Sequence, residues 1–340
     1  MGAKNIKWKK LGFEYVQTSC HIRYHYKNGR WDKGILIDSP FINLHISATS
    51  LHYGQQCFEG LKAFSTRQNK IAVFRPLENA KRLIQSAERL QMPYPSEKMF
   101  LQAISRVIKA NADYMPPYGT GASLYIRPLL IGTGPILGVK PSREYDFIVF
   151  VSPVGPYYKE GIKPVPALVI EEYDRTAPKG VGNIKAGGNY AASLLPHKIA
   201  NNKNFPIVLY LDSKTHKYID EFGTSNFIGI TKKGDYLTPR SCSILKSITN
   251  TSLMQIARDY GMKVDQRPIR FDELSNFKEV GACGTAAVIT AIHSITRQQK
   301  TIKFGQPNKP GTTLKKLYDT IISIQHGDLP DKYCWMKIID

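Results

Sequence analysis

The clearest periodicity in the chain runs from Leu77 to Leu90, where Ala80, Leu83, Ile84, Ala87 and Leu90 recur at the spacing of one helical face. Pro76 stands just ahead of the first turn, where a missing N–H costs nothing, and charged residues fill the opposite face. A second pattern of the same kind predicts a helix from about Glu97 to Ala112. Upstream, His21-Ile22-Arg23-Tyr24-His25-Tyr26 alternates and is closed by the turn pair Asn28-Gly29, which predicts a β-hairpin. Downstream, 123–131 and 145–154 predict strands. The second of these is nearly continuous in Val, Phe and Ile, the mark of a strand covered on both faces.

Between Pro153 and Pro166 the apolar pattern lapses and Gly155, Pro156, Gly161 and Pro164 intervene, which predicts a linker at 156–166 between a domain of residues 1–155 and one of 167–340. In the second half, strands are expected at 167–173, 206–212, 226–231 and 279–283. Helices are expected from near Asn189, at 248–260 and at 314–324. Strands outnumber what a βαβ alternation would produce, so the fold class expected is α+β, in two domains. No internal repeat or low-complexity tract interrupts the pattern.

Length agrees with this division, since 340 residues correspond to about two domains. Hydrophobic residues at 42% and charged residues at 22% are those of a globular protein and exclude a disordered or fibrous chain. The longest apolar run, Phe147 to Val151, is far short of the ~18 residues a membrane span needs. The opening Met1-Gly2-Ala3-Lys4-Asn5-Ile6 has no apolar signal core, and Ile6 stands where a myristoylation site wants Ser or Thr; a cytoplasmic location is expected. Five scattered cysteines without a C-x-x-C pair point to reduced thiols and to no metal site. The formal charge of +20 raises a second reading, a basic protein that binds nucleic acid or an anionic surface. The basic residues are dispersed, with runs no longer than pairs such as Lys9-Lys10, so a solvated basic surface is the expectation, with neither nucleic acid nor membrane as partner.

Candidate chemistry centres on Lys185, set among Gly180, Gly182, Gly187 and Gly188. Four glycines allow a backbone to approach a bulky ligand, and a nucleophilic lysine must be desolvated or lie near another cation for its amine to be neutral. A surface lysine in a flexible loop is the plainer alternative. Asp220-Glu221-Phe222-Gly223-Thr224-Ser225-Asn226 runs from acidic residues through a small-residue turn into a strand, and its Glu221 carboxylate could keep a pyridinium nitrogen protonated or be a solvated turn residue. A phosphate could sit at the helix opened by Ser247-Ile248-Thr249 or at a loop spanning 281–287, with Arg82 as cation, although an arginine on an amphipathic helix more often makes a surface ion pair.

Taken in order, Leu51-His52-Tyr53-Gly54, Cys57-Phe58-Glu59-Gly60, Tyr125-Ile126-Arg127-Pro128, Gly182-Asn183-Ile184-Lys185-Ala186-Gly187-Gly188-Asn189-Tyr190, Glu221-Phe222-Gly223-Thr224-Ser225-Asn226 and Gly284-Thr285-Ala286 closely resemble the branched-chain amino acid aminotransferases over almost the whole chain. These are class IV aminotransferases, or fold type IV pyridoxal-phosphate enzymes. The resemblance implies a smaller N-terminal α/β domain and a larger C-terminal mixed β domain with helices. It also implies pyridoxal 5'-phosphate as cofactor and amino transfer between L-leucine, L-isoleucine or L-valine and 2-oxoglutarate.

By that resemblance Lys185 holds the cofactor as a Schiff base, Glu221 meets its ring nitrogen and Tyr190 its phenolic oxygen. Arg82, Thr285 and the amides of Ile248 and Thr249 hold the phosphate, while Tyr53, Thr224 and the amide of Ala286 receive the substrate carboxylate. Phe58, Tyr125 and Tyr190 wall the side-chain pocket. Strand alternation places Arg127 on the face of Tyr125, and the resemblance gives it the distal carboxylate of glutamate, where a structural ion pair is the alternative. Leu137 and Val139 would reach the neighbouring subunit's pocket in a homodimer. Three departures from the family pattern stand out. Lys246-Ser247 replaces Pro-Gly in the phosphate-side loop; Thr18-Ser19 replaces Thr-Asp, with Gln17 where an aromatic wall residue can lie; and Ala287 and Thr290 occupy the positions of the Cys-x-x-Cys pair of some animal members.

Overall fold

A computed structural model describes residues 6–156 and 161–339. Contacts divide the chain into two compact units, Met1–Tyr157 with Ile184–Gly187 and Ile324–Asp340, and Tyr158–Asn183 with Gly188–Ser323. In the first, the elements run β1 (His21–Lys27), β2 (Arg30–Trp31), β3 (Ile35–Ile37), α1 (Thr49–His52), β4 (Gln56–Phe58), β5 (Leu61–Ser65), β6 (Ile71–Phe74), α2 (Pro76–Arg89), α3 (Glu97–Ala110), β7 (Ser123–Gly132) and β8 (Tyr145–Val154). The second carries β9 (Val165–Val169), α4 (Gly187–Ala191), α5 (Leu194–Asn202), β10 (Ile207–Leu211), β11 (Ile219–Phe222), β12 (Asn226–Thr231), β13 (Tyr236–Pro239), α6 (Ile248–Asp259), β14 (Val264–Arg267), β15 (Phe277–Gly284), β16 (Val288–Arg297) and β17 (Lys300–Lys303). Helix α7 (Thr312–His326) follows, and β18 (Met336–Ile339) returns to the first unit.

The first unit's sheet is antiparallel at every described pairing, ordered β18-β6-β5-β7-β8-β1-β2 with β3 on β1 and β4 on β7. The β1–β2 hairpin pairs Lys27 with Arg30, and Asn28 and Gly29 both take the positive φ that a two-residue turn of this hand requires. One sheet face is covered by α2 and α3. Leu83 and Ala87 from α2, Phe100, Ile104 and Val107 from α3, and Leu124, Ile126 and Phe147 from the sheet form one buried cluster. Alternation then leaves Tyr125, Arg127 and Leu129 half-buried on the other face of β7, as their spacing predicts. Ser96 Oγ accepts the Met99 amide and starts α3. That helix closes at Ala110, two residues short of the expected end, and passes into a 3-10 turn over Ala112–Tyr114.

The second unit is built on a mixed sheet, β11-β10-β9-β16-β15-β12-β13-β14 with β17 on β16, in which β9 runs parallel to both β10 and β16. Two such sheets with helices make the α+β class stated from the strand count. The predicted boundaries differ in three places. Residues 157–160 of the expected linker lie outside the described residues, and β9 begins at Val165, inside the expected linker. The Lys185 segment groups with the first unit, because Phe58 N–H donates to Lys185 C=O and Cys57 bridges to Ala186. The last stretch of chain does so too, because β18 pairs with β6.

The orientation of α2 gives a direct test. Leu83→Ala removes a fully buried side chain and should cost about 2–5 kcal/mol, whereas Lys81→Ala on the exposed face should stay within about 0.5 kcal/mol. Equal shifts of the two variants in thermal denaturation would overturn the assignment of faces.

Candidate active site

Six of the residues singled out in the sequence fall in the first unit. Tyr53 follows α1, Phe58 ends β4, Arg82 lies on α2, Tyr125 and Arg127 share a face of β7, and Lys185 lies on the returning segment. The Lys185 backbone is held on both sides, its N–H donating to Ser86 Oγ of α2 at 3.0 Å and its C=O accepting from Phe58 N–H at 3.1 Å. Its amine lies 4.7 Å from the centre of the Phe58 ring. Burial lowers its proton affinity first and the Arg82 charge second, with Glu59 opposing, so that its pKa falls from 10.5 to about 8.

Arg82 does not make the surface ion pair that its amphipathic helix suggests. It points inward and is gripped by Glu59, Nε to Oε1 at 2.7 Å and Nη2 to Oε2 at 2.8 Å. Arg127 stands over two rings, 4.8 Å from Phe58 and 5.3 Å from Tyr125, and its Nη2 donates to Tyr125 Oη at 3.1 Å. Its Nε is buried with no acceptor among the described residues, so the structural ion pair weighed as an alternative is not what occupies it. A buried guanidinium donor without a partner fits an incoming carboxylate. Tyr53 Oη donates to Leu137 C=O, tying that tyrosine to the loop of Leu137 and Val139.

The other seven candidates belong to the second unit: Tyr190 on α4, Glu221 on β11, Thr224 in the turn before β12, Ile248 and Thr249 opening α6, and Thr285 and Ala286 between β15 and β16. Glu221 is 5% exposed, and no solvated turn residue: Arg175 Nη1 approaches its Oε1 at 2.9 Å and Asn226 Nδ2 donates to its Oε2 at 3.0 Å. Register brings two turns together, since Asn226 pairs with Cys283 and the Thr224 carbonyl and Ser225 side chain lie beside Gly284. The expected loop over 281–287 is shorter than its composition suggested, because Gly281 to Gly284 complete β15 and residues 285–287 make the turn.

Ser247 gives the departing loop its geometry. It caps α6 by accepting from Asn250 N–H at 3.0 Å, so the amides of Ile248 and Thr249 are left to other acceptors at the positive end of the helix. A buried chain from Tyr236 Oη to Asn250, Asn250 to Thr238 and Thr238 to the Phe227 carbonyl holds that end in place. The side chain of Lys246 is exposed.

Three of the four glycines around Lys185 lie close against other parts of the protein. A Cβ at Gly182 would collide with Thr176, the Ser243 carbonyl and Arg175, and one at Gly187 with the Gln56 amide; of the four, only Gly188 faces open space. The close approach they permit is chiefly of chain to chain. Two ionic partners escaped the sequence reading. Glu59 appeared only inside a motif, and Arg175 carried no local signal, although it bridges Asp220 and Glu221.

Residues 56–295 match the family described as amino-transferase class IV. The chain is 50% identical over 335 residues to the branched-chain-amino-acid aminotransferase of Helicobacter pylori (strain J99), covering 98% of each chain. Its identity to the same-named protein of Haemophilus influenzae is 45% over 343 residues, 99% of this chain and 100% of that one. Among solved structures it resembles the Escherichia coli branched-chain amino acid aminotransferase, with a TM-score of 0.79 and 28% identity over 93% of this chain and 99% of that one. The T.th. branched-chain amino acid aminotransferase with pyridoxamine 5'-phosphate gives a TM-score of 0.81 and 25% identity, covering 96% of this chain and 100% of that one. With a family match over most of its length and relatives this similar along their whole length, the chain belongs to the class IV aminotransferases.

Proposed function

We propose that this chain is a branched-chain amino acid aminotransferase that moves an amino group reversibly between L-leucine, L-isoleucine or L-valine and 2-oxoglutarate, with Lys185 as its catalytic residue. Pyridoxal 5'-phosphate is the cofactor, and when bound it supplies an electron sink for the carbon that loses its proton. The observation that carries the reading is the Lys185 amine, desolvated against Phe58, with a pKa lowered to about 8 so that a sizeable fraction is neutral near that pH. An amine in that state can attach a carbonyl, then take and return a proton.

The donor set of each unit fits such a cofactor. Arg82, Thr285 and the amides of Ile248 and Thr249 take the phosphate, supported by the capped start of α6. Glu221 takes the ring nitrogen, supported by its burial and its fixed partners, and Tyr190 the phenolic oxygen. Tyr53, Thr224 and the Ala286 amide receive the substrate carboxylate, and Phe58, Tyr125 and Tyr190 wall the aliphatic side chain. Arg127 receives the distal carboxylate of the second substrate, supported by its unpartnered Nε. One pocket then serves both substrates, since the guanidinium stacked on two rings presents apolar walls to leucine and donors to glutamate. The assembly is a homodimer. Its support is the exposure of Leu137 and Val139, at 88% and 86%, on the loop that Tyr53 holds, a pair of aliphatic side chains with no reason to face water in a finished site.

Leucine added to the purified holoprotein should bleach its long-wavelength absorption and 2-oxoglutarate should restore it; no change with leucine, isoleucine or valine would sink the substrate assignment. Lys185→Ala should lose both the spectral response and measurable turnover. Arg127→Met should raise KM for 2-oxoglutarate roughly 100-fold, the loss of a charge-assisted bidentate contact, while KM for leucine changes much less. Equal effects on the two substrates would show that Arg127 does not read the distal carboxylate. In cofactor-free protein, reductive methylation of Lys185 should reach half its maximal rate near pH 8, against about 10.4 for a lysine in a model peptide. The folded value lies below the unfolded one, so the unfolded chain holds the extra proton between about pH 8 and 10.5, and this lysine's contribution to stability rises with pH across that window.

A further inference from the structure

Glu59 has no part in the roles assigned above, yet no charged side chain among the described residues is less exposed. Its carboxylate meets the Arg82 guanidinium fork to fork, and Oε2 also accepts from Asn79 Nδ2 at 2.8 Å and from Gly60 N–H at 3.3 Å. The backbone beneath is fixed as well, because Glu59 N–H donates to Pro128 C=O at 2.8 Å. The same frame carries Lys185. Phe58, next in the chain, donates to its carbonyl, and Ser86, one turn beyond Arg82, accepts from its amide while donating to the Arg82 carbonyl at 2.9 Å.

Stability alone does not account for such a pair. Desolvating a carboxylate and a guanidinium costs several kcal/mol per ion, and apolar residues of the same volume often serve a core as well or better. A geometric task does account for it, since two parallel hydrogen bonds fix a planar guanidinium in position and rotation. Resting on the reading that Arg82 holds the cofactor's phosphate, we propose that Glu59 is a positioning residue: it clamps the Arg82 guanidinium through Nε and Nη2 so that it meets the phosphate in one orientation, and it offsets the Arg82 charge beside the Lys185 amine. The opposed effects of the two side chains on Lys185, Arg82 lowering its proton affinity and Glu59 raising it, agree with the second half.

Two substitutions separate geometry from charge. Glu59→Asp keeps the charge and shortens its reach by one methylene; dialysed holoenzyme should lose pyridoxal 5'-phosphate on the order of tenfold faster, in line with other outer partners of a bound group. Its Lys185 methylation midpoint, read by peptide mass spectrometry on cofactor-free chain, should match wild type. Glu59→Gln keeps the size and removes the charge, so it should lose cofactor faster and also move that midpoint to lower pH. Should the aspartate variant fail to fold, the nearly isosteric glutamine variant carries both readouts. Wild-type cofactor retention in the variants would overturn the clamp, even with a lowered thermal midpoint, which a merely structural role would also produce. An unmoved midpoint in Glu59→Gln would overturn the charge offset. The underlying reading fails separately: wild type that takes up no cofactor would remove Arg82's phosphate role whatever Glu59 does.

Discussion

Much of the first unit's buried charge is arranged around how the Lys185 backbone is held. A lysine amine becomes a useful base only if it is taken out of water, and taking it out of water is safe only if its backbone cannot swing away. The Ser86 hydroxyl and the Phe58 amide supply that restraint from a helix and a strand. The segment gives up its own backbone donors and acceptors to these elements, and the ring of Phe58 then meets the amine. Arg82 and Glu59 ride on the same two stretches, so the charges near the amine are fixed by the restraint that fixes the amine.

Both units bury charge in compensated groups. In the first, Glu59 pairs with Arg82 and accepts from Asn79; in the second, Arg175 stands between Asp220 and Glu221, with Ser243 donating to Asp220. Glu59 and Glu221 each have several partners, which is the condition under which a desolvated carboxylate is tolerated. Near Lys185, after burial itself, the arginine charges of Arg82 and Arg127 lower the proton affinity of the lysine and Glu59 opposes them. The second group keeps an excess of negative charge, one arginine for two carboxylates. Neither balance is related to the +20 of the whole chain, which is spread over solvated lysines and arginines.

The loop before α6 illustrates how one turn chemistry replaces another. A Pro-Gly pair sets a turn through backbone freedom and a fixed φ. Here Ser247 reaches the same end through its hydroxyl, capping α6 by way of Asn250, while Lys246 points to solvent. The helix start is preserved by a side-chain hydrogen bond, and the Tyr236–Asn250–Thr238 chain makes it rigid.

The sequence by itself determined the local structure and the identity of the chemistry. Helices α2, α3 and α6, the Asn28-Gly29 hairpin, the buried β8 and the common face of Tyr125 and Arg127 all follow from spacing, because backbone hydrogen bonds within helices and tight turns join residues only a few positions apart. The motif order carried the family for the same reason, each motif being a short distinctive stretch. Tertiary structure alone decided who partners whom. Glu59 and Arg82 are 23 positions apart, Arg175 and Asp220 are 45, and Lys185 and Ser86 are 99. It also decided that Gly182 and Gly187 accommodate neighbouring chain, that β15 absorbs Gly281 to Gly284, and that the lysine's segment belongs with the first unit. No periodicity reports such pairings, since a buried ion's partner is selected by packing in three dimensions, and local spacing says only that a charge is present.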